Sequence, residues 1–389
     1  MTGGSESGEA GEASSSTARV ETLGAGQLVS LPADRFAVEW WLARQTAGGE
    51  GVPYAAGDVL DLWPSRRDET AAWTFGLELE FAVADAGWVA SELHALGLCA
   101  APEPVAYHSP RTDGLWAVEQ DRSVSTVFAS PDGGPPVVVG GEVISPPLRD
   151  TPAAWAQVAG VLDVLRRCGA EVNRSCGLHV HVGADALRPA GGTPRDLLLA
   201  LSRLAVLANV CFEDLVFRMA SAEGGRHRGQ TVFYRHCRPL ERPLQPAYES
   251  LTDLAGALGL EGSARRAALN LTNVGDPHKD TVEFRHCNGT LDGRVVQAFA
   301  RLCIALIGAA RWAPEAALLS PAPLGQHWTA RQQAAGDDDR AAVDTDTEPL
   351  WRFLGAAFPA GLPLAAAGSL YWLYRQGAWQ PGLADLTLA

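Results

Sequence analysis

At 389 residues and 41.1 kDa the chain is long enough to bury a large core, as two ordinary domains or one large one. Its 31 Lys and Arg against 45 Asp and Glu give a formal charge of −14, without the basic excess that neutralises a phosphate backbone, which argues against a nucleic-acid binder. A hydrophobic share of 47% and 7 scattered Cys with no CxxC pair exclude a disordered chain and leave a disulfide framework or structural zinc site without support, so a soluble protein of a reducing, cytoplasmic compartment is expected.

In chain order, residues 1–30 are rich in Gly, Ser and Glu and read as a disordered acidic tail, with no basic stretch followed by an apolar one of the signal-peptide kind. From Leu31, the run LPADRFAVEWWLARQ places Phe36, Trp40 and Trp41 at near-helical spacings, so residues 31–71 are expected to form a helical arm. The segment 73–81, WTFGLELEF, instead has period two: a strand puts Trp73, Phe75, Leu77, Leu79 and Phe81 on one face and Glu78 and Glu80 on the other. A helix is expected at about 86–97. Two further strands follow, 116–125 projecting Glu119, Asp121 and Ser123, and 136–146 supplying Glu142 before Pro146 and Pro147 stop it.

The stretch 152–168 predicts a helix, since Trp155, Val158, Leu162 and Leu165 recur at three and four and Gly169 follows. In 177–183, GLHVHVG, alternation places His179 and His181 together. Residues 194–219 and 292–310 read as long helices, started by Pro194 with Asp196 and by Asp292. Between them, 281–287, TVEFRHC, gives Glu283 and Arg285 on one face, opposite Val282, Phe284 and His286. Residues 327–350 read as a solvated acidic loop. The uncharged run 353–374 is long enough to span a membrane, but its prolines and glycines keep its hydrophobicity modest and a buried or surface helical element is expected.

Purely parallel strands are apolar on both faces, whereas these are half-polar. The expected class is therefore α+β, a curved, largely antiparallel sheet backed by helices, with a polar face rich in Glu, His and Arg.

That face suggests chemistry. Glu78 and Glu80 sit about 6.5 to 7 Å apart along a strand. Burying both charges is costly unless divalent cations such as Mg²⁺ or Mn²⁺, which prefer hard oxygen ligands, are present; an isolated pair of this kind would otherwise be a solvated strand face. His179 and His181 suit a zinc site, a contact to substrate or phosphate, or a pair of satisfied histidines at a sheet edge. Arg285 suits bidentate contact with phosphate or carboxylate, or a buried salt bridge with Glu283. Arg174, Asn173 and Lys279, near the ends of the histidine and final strands, could meet a nucleotide or acidic substrate, or solvent.

Taken together, FGLELEF (75–81), DRSVS (121–125), GGEVISPPL (140–148), CGLHVHVG (176–183), ALNL (268–271) and TVEFRHCNGTLD (281–292) resemble the amidoligase family, distant relatives of glutamine synthetases and glutamate–cysteine ligases. The resemblance covers roughly 72–310. It implies a glutamine synthetase-like catalytic domain and an ATP-dependent carboxylate–amine ligase working through an acyl phosphate. By the same resemblance Glu78, Glu80, Glu142 and Glu283 are metal ligands for Mg²⁺, with Mn²⁺ as a substitute, and Arg285 and Glu283 are catalytic. The amine's general base is not evident, Asp121 and Glu119 being the candidates. His179, His181, Arg174 and Lys279 are assigned to nucleotide or substrate binding.

Small-molecule or peptide carboxylates and amines are the expected partners, without nucleic acid or membrane; self-association into a homo-oligomer stays open. Residues 311–389 are expected to be a C-terminal helical extension. Two rivals use the same residues: a metal-dependent amide hydrolase, which needs no ATP, and a non-catalytic partner-binding protein. The sequence has no Gly-rich phosphate loop, so phosphate binding would rest on metals and side chains.

Overall fold

The computed structural model describes residues 28–29, 35–47, 73–106, 114–121, 123–124, 126–128, 137–173, 175–189, 191–220, 248–258, 267–312, 348–358 and 361–376. In chain order these form β1 (Leu28–Val29), α1 (Arg35–Ala47), β2 (Phe75–Ala82), α2 (Ala86–Ala95), β3 (Ala117–Glu119), β4 (Thr126–Phe128), β5 (Val137–Ile144), α3 (Pro152–Arg167), β6 (Gly177–Gly183), α4 (Pro194–Val206), α5 (Glu213–Ala220), α6 (Leu251–Ala257), β7 (Leu269–Asn270), β8 (Thr281–Asn288), α7 (Gly293–Trp312), α8 (Glu348–Ala357), β9 (Leu362–Pro363) and α9 (Leu364–Gln376).

The main sheet runs β3-β5-β2-β6-β8-β7, with β4 also pairing β5, and every pairing is antiparallel. The expected α+β class with an antiparallel sheet is therefore found. Phe75, Leu77, Leu79 and Phe81 of β2 are all buried and meet Val180, Val182 and Leu178 of β6 and Val143 of β5 on the same face. Each such side chain contributes about 1.5–3 kcal/mol by leaving water. Helices cover this face. The α3 helix starts at Thr151, whose hydroxyl accepts from the Ala154 N–H, with Pro152 in the first turn and Arg166 and Arg167 in the last. Trp155, Val158, Leu162 and Leu165 are buried as their spacing predicts, and the Trp155 ring stacks on Phe75 at 5.2 Å.

Helix α7 packs on β6 and is, among the described residues, the one helix long and apolar enough to cross a membrane, yet it is buried almost throughout. It also carries a buried charge: Arg301 Nε donates to Asp150 Oδ2 at 3.0 Å and Nη1 to Ser369 Oγ at 2.8 Å, and Trp155 Nε1 donates to the same aspartate. The uncharged run 353–374 is divided between α8 and α9 by Gly361 at φ 102°. With 10 and 13 residues, neither helix reaches the ~20 needed for a span.

Some expected boundaries move. Leu28 and Val29, placed by sequence in the acidic tail, pair antiparallel with Pro363 and Leu362, so the end of the tail segment joins the C-terminal extension. The buried face of α1 is Ala37, Val38 and Trp41, while Phe36 is exposed. Trp41 packs on α9 where Gly368 leaves room: a Cβ there would come within 2.4 Å of the ring. The helix expected over 194–219 is interrupted by a π-turn at Leu207–Cys211, closed by the Phe212 N–H donating to Leu207 O at 2.9 Å. Of the strand expected over 116–125 only β3 forms; the chain bends at Ser123 and Val124, and β4 begins just beyond the expected stretch. Of the acidic loop 327–350 only 348–350 are described, opening α8; the rest lies outside the described residues. Cys99, Cys168, Cys176, Cys211, Cys287 and Cys303 are buried.

Candidate active site

In an antiparallel ladder directly opposed residues share a face, so register decides which polar groups meet. Asn270, Glu283, His181 and Gly76 lie across β7, β8, β6 and β2 in one rung. The next rung sets His179 opposite Glu78, and the third sets Glu80 opposite Glu142 and Glu142 opposite Glu119. The polar residues read separately in five strands thus form one continuous surface. A close approach keeps the third rung together: a Cβ on Gly141 would lie 2.3 Å from the Glu119 carbonyl oxygen, so glycine lets β3 and β5 meet.

Glu78 holds both imidazoles, one per oxygen. Its Oε2 is 3.0 Å from His179 Nδ1 and its Oε1 is 3.0 Å from His181 Nε2, while His181 Nδ1 is 3.1 Å from Thr281 Oγ1. His179 is central, with Nε2 3.7 Å from Glu80 Oε1 and Nδ1 3.9 Å from Glu283 Oε1. Glu80 also accepts from the Gly177 N–H, and Asp121 Oδ1 accepts from the Ser123 N–H at 2.7 Å. Glu283 is held at both oxygens, Oε1 by Arg285 Nη1 and Oε2 by Asn270 Nδ2 at 2.7 Å.

The electrostatics divide the carboxylates. Burial raises Glu78, but His181 and His179 outweigh it and hold its carboxyl well below the usual range. Burial pushes Glu80 up to about 7 against the pull of His179 and the Gly177 N–H. Burial, then repulsion from Glu78, Glu80, Glu119 and Asp121, pushes Glu142 up to about 10. His181 is lowered by burial and raised further by Glu78 and Glu283, ending above its ordinary value. Without a cation this face therefore avoids like-charge repulsion by keeping a proton on Glu142 and, towards neutral pH, on Glu80; divalent ions would take the place of those protons.

Two sets of donors fit such ions. Single ligand atoms of Glu78, His181 and Glu283 lie within 4.8 Å of one another, as do those of Glu80, Asp121 and Glu142. The second set is all oxygen, which suits a hard cation such as Mg²⁺; the first mixes one imidazole with two carboxylates. Adjacent β2 glutamates feed the two sets, so they are neighbours.

The structure brings Glu78, Glu80, Asp121, Glu142, His179, His181, Glu283 and Arg285 together. It moves two partners. Simple alternation fails at a β-bulge, where Arg285 and His286 stand against the single residue His179, and Cys287 returns to the apolar face opposite Leu178. Ser123, expected beside Asp121, is exposed on the bend. Lys279 lies in the exposed turn before β8, near enough for its charge to oppose that of His181. Asn173 shapes the turn into β6 by accepting from the Ser175 N–H at 2.8 Å. Arg174 lies outside the described residues. Asn270 was not assigned a role from sequence, where ALNL served only the resemblance; a strand of 2 residues shows no period to read.

Residues 71–216 match the family model described as "Putative amidoligase enzyme". Over that stretch the chain is similar to this family. The resemblance drawn from FGLELEF, DRSVS, GGEVISPPL and CGLHVHVG is borne out over that stretch, which supports a function of ligase kind. The matched stretch takes in β2 to β6 and reaches into α5, with Glu78, Glu80, Asp121, Glu142, His179 and His181. It ends before Asn270, Glu283 and Arg285, which the fold brings to the same face through β7 and β8. A comparison with curated proteins gives no match.

Proposed function

We propose that this protein is an ATP-dependent ligase that joins a carboxylate to an amine through an acyl-phosphate intermediate, with residues 72–310 as a glutamine synthetase-like catalytic domain. The observation that carries this reading is the pair of adjacent three-ligand sets on one sheet face, with Arg285 alongside; the similarity to the amidoligase family supports it. The substrates are a small-molecule or peptide carboxylate and an amine.

A carboxylate oxygen is a poor leaving group. Attack of the substrate carboxylate on the γ-phosphorus of ATP releases ADP and gives a mixed anhydride; the amine nitrogen then attacks the acyl carbon, phosphate leaves and the nitrogen loses a proton. Bound Mg²⁺, or Mn²⁺ in its place, supplies positive charge for the phosphate oxygens. Glu78, His181 and Glu283 would hold one ion and Glu80, Asp121 and Glu142 the other. Arg285, already drawn to this face by Glu283, is placed to stabilise charge on the transferring phosphoryl group. His179 steadies Glu78. Of the two candidate bases, Asp121 is taken up by the second ion in this arrangement, which leaves Glu119, at the end of β3, to take the amine's proton.

Hydroxylamine tests the reading. It intercepts acyl phosphates, so the protein, Mg²⁺, ATP and a panel of carboxylates should form a hydroxamate with stoichiometric ADP. Amide cleavage that proceeds without ATP would favour the hydrolase instead, and release of AMP would contradict the acyl phosphate.

A further inference from the structure

Glu283 is gripped from two sides by donors of different character. Asn270 is 2% exposed and cannot flip its amide: Oδ1 accepts from the Thr272 N–H at 3.0 Å and from Thr272 Oγ1 at 2.8 Å, which leaves Nδ2 facing Glu283 Oε2 at 2.7 Å. Arg285 holds the other oxygen through a longer side chain that is 16% exposed, and under the proposed function it has a second task, charge on a phosphoryl group. A guanidinium that is the only anchor of a metal-set carboxylate could not turn to phosphate without loosening that carboxylate.

We infer that Asn270 is a positioning residue: locked by Thr272, it keeps Glu283 aimed at the Glu78 and His181 set whether or not Arg285 is engaged, and so frees Arg285 for an anionic group. This rests on the ligase reading, in which that set binds a divalent ion. Residues that orient a ligand in this way typically carry about a ten- to hundredfold effect on metal affinity.

The test is Mn²⁺ binding without nucleotide, measured by calorimetry in a Glu142→Gln background so that only the Glu78, His181 and Glu283 set is read. Asn270→Ala should weaken Mn²⁺ by about ten- to a hundredfold, whereas Arg285→Met should leave it unchanged or tighter, since it removes a positive charge but not the static anchor. Thr272→Ala, at an exposed position, should give a smaller loss at the same set and carries the test if Asn270→Ala does not fold. Unchanged binding in Asn270→Ala, or in Thr272→Ala where that variant carries the test, or a loss in Arg285→Met matching the loss in the variant that carries the test, overturns the inference. So does an equal fall at the Glu80, Asp121 and Glu142 set when Asn270→Ala is titrated in the parent chain, because that is a fold defect. Parent protein that binds no Mn²⁺ overturns the ligase reading itself, a different result.

Discussion

Glu80 and Glu142 stand directly opposite each other in neighbouring antiparallel strands, both buried, with Glu119 beyond Glu142 in the same rung. Like charges facing each other across a ladder are destabilising, and burial removes the water that would screen them. This pair is therefore where the metal-free protein should be most sensitive to pH.

Unfolded glutamate titrates at about 4.3. Folded Glu80 is pushed up to about 7 and Glu142 to about 10, so across that window the folded chain keeps protons that the unfolded chain has released. Stability in chelator should then fall as pH rises from about 5 and level off above about 10, and His181, also raised, acts in the same direction. Mn²⁺ should raise Tm more at pH 8 than at pH 5, and Glu142→Gln should flatten the metal-free slope. A metal-free Tm that climbs between pH 5 and 9 would show that the pair is not buried as described.

Arg285 can be separated from the metal sets kinetically. Replacing one donor aimed at transition-state charge costs about 2.7–4 kcal/mol, or 10²–10³ in turnover. Arg285→Lys, which keeps charge but loses the planar fork, should lower kcat for ADP release with little change in KM for ATP. An unaltered kcat would leave Arg285 as only the partner of Glu283.

The Asp150–Arg301 pair lies behind the sheet and tests the fold independently. Asp150→Ala leaves a guanidinium buried without its carboxylate and should cost about 3–5 kcal/mol in chemical denaturation. Combining Asp150→Leu with Arg301→Met should recover much of that, because the charge is removed together with its partner.

Gly141 links fold to site. An alanine Cβ would press on the Glu119 carbonyl, so Gly141→Ala should cost about 1–3 kcal/mol of overpacking strain. It should also weaken Mn²⁺ at the Glu80, Asp121 and Glu142 set more than at the other. Equal weakening at both would mean that β3 and β5 do not set this rung.

Much of the site was legible because strand periodicity is local. The alternation in WTFGLELEF, GLHVHVG and TVEFRHC put Glu78 with Glu80, His179 with His181 and Glu283 with Arg285 before any contact was known. Register is not local: nothing in the sequence states that Glu80 meets Glu142 or that His181 meets Glu283. Bulges are equally silent, so Cys287 could not be placed opposite Leu178. Asn270 was hidden by the brevity of β7, and the pairing of Leu28–Val29 with Leu362–Pro363 by its long span of chain. The helix over 152–168 was the opposite case, with the apolar spacing and the Gly169 stop agreeing along its length.

Under the proposed function this face binds nucleotide through divalent ions. Calorimetric titration of a non-hydrolysable ATP analogue, in Mg²⁺ and in chelator, tests it most directly, beside Glu78→Ala. Saturable binding that requires Mg²⁺ and is lost in Glu78→Ala is the expected result; parent protein that binds no nucleotide in Mg²⁺ would contradict the account.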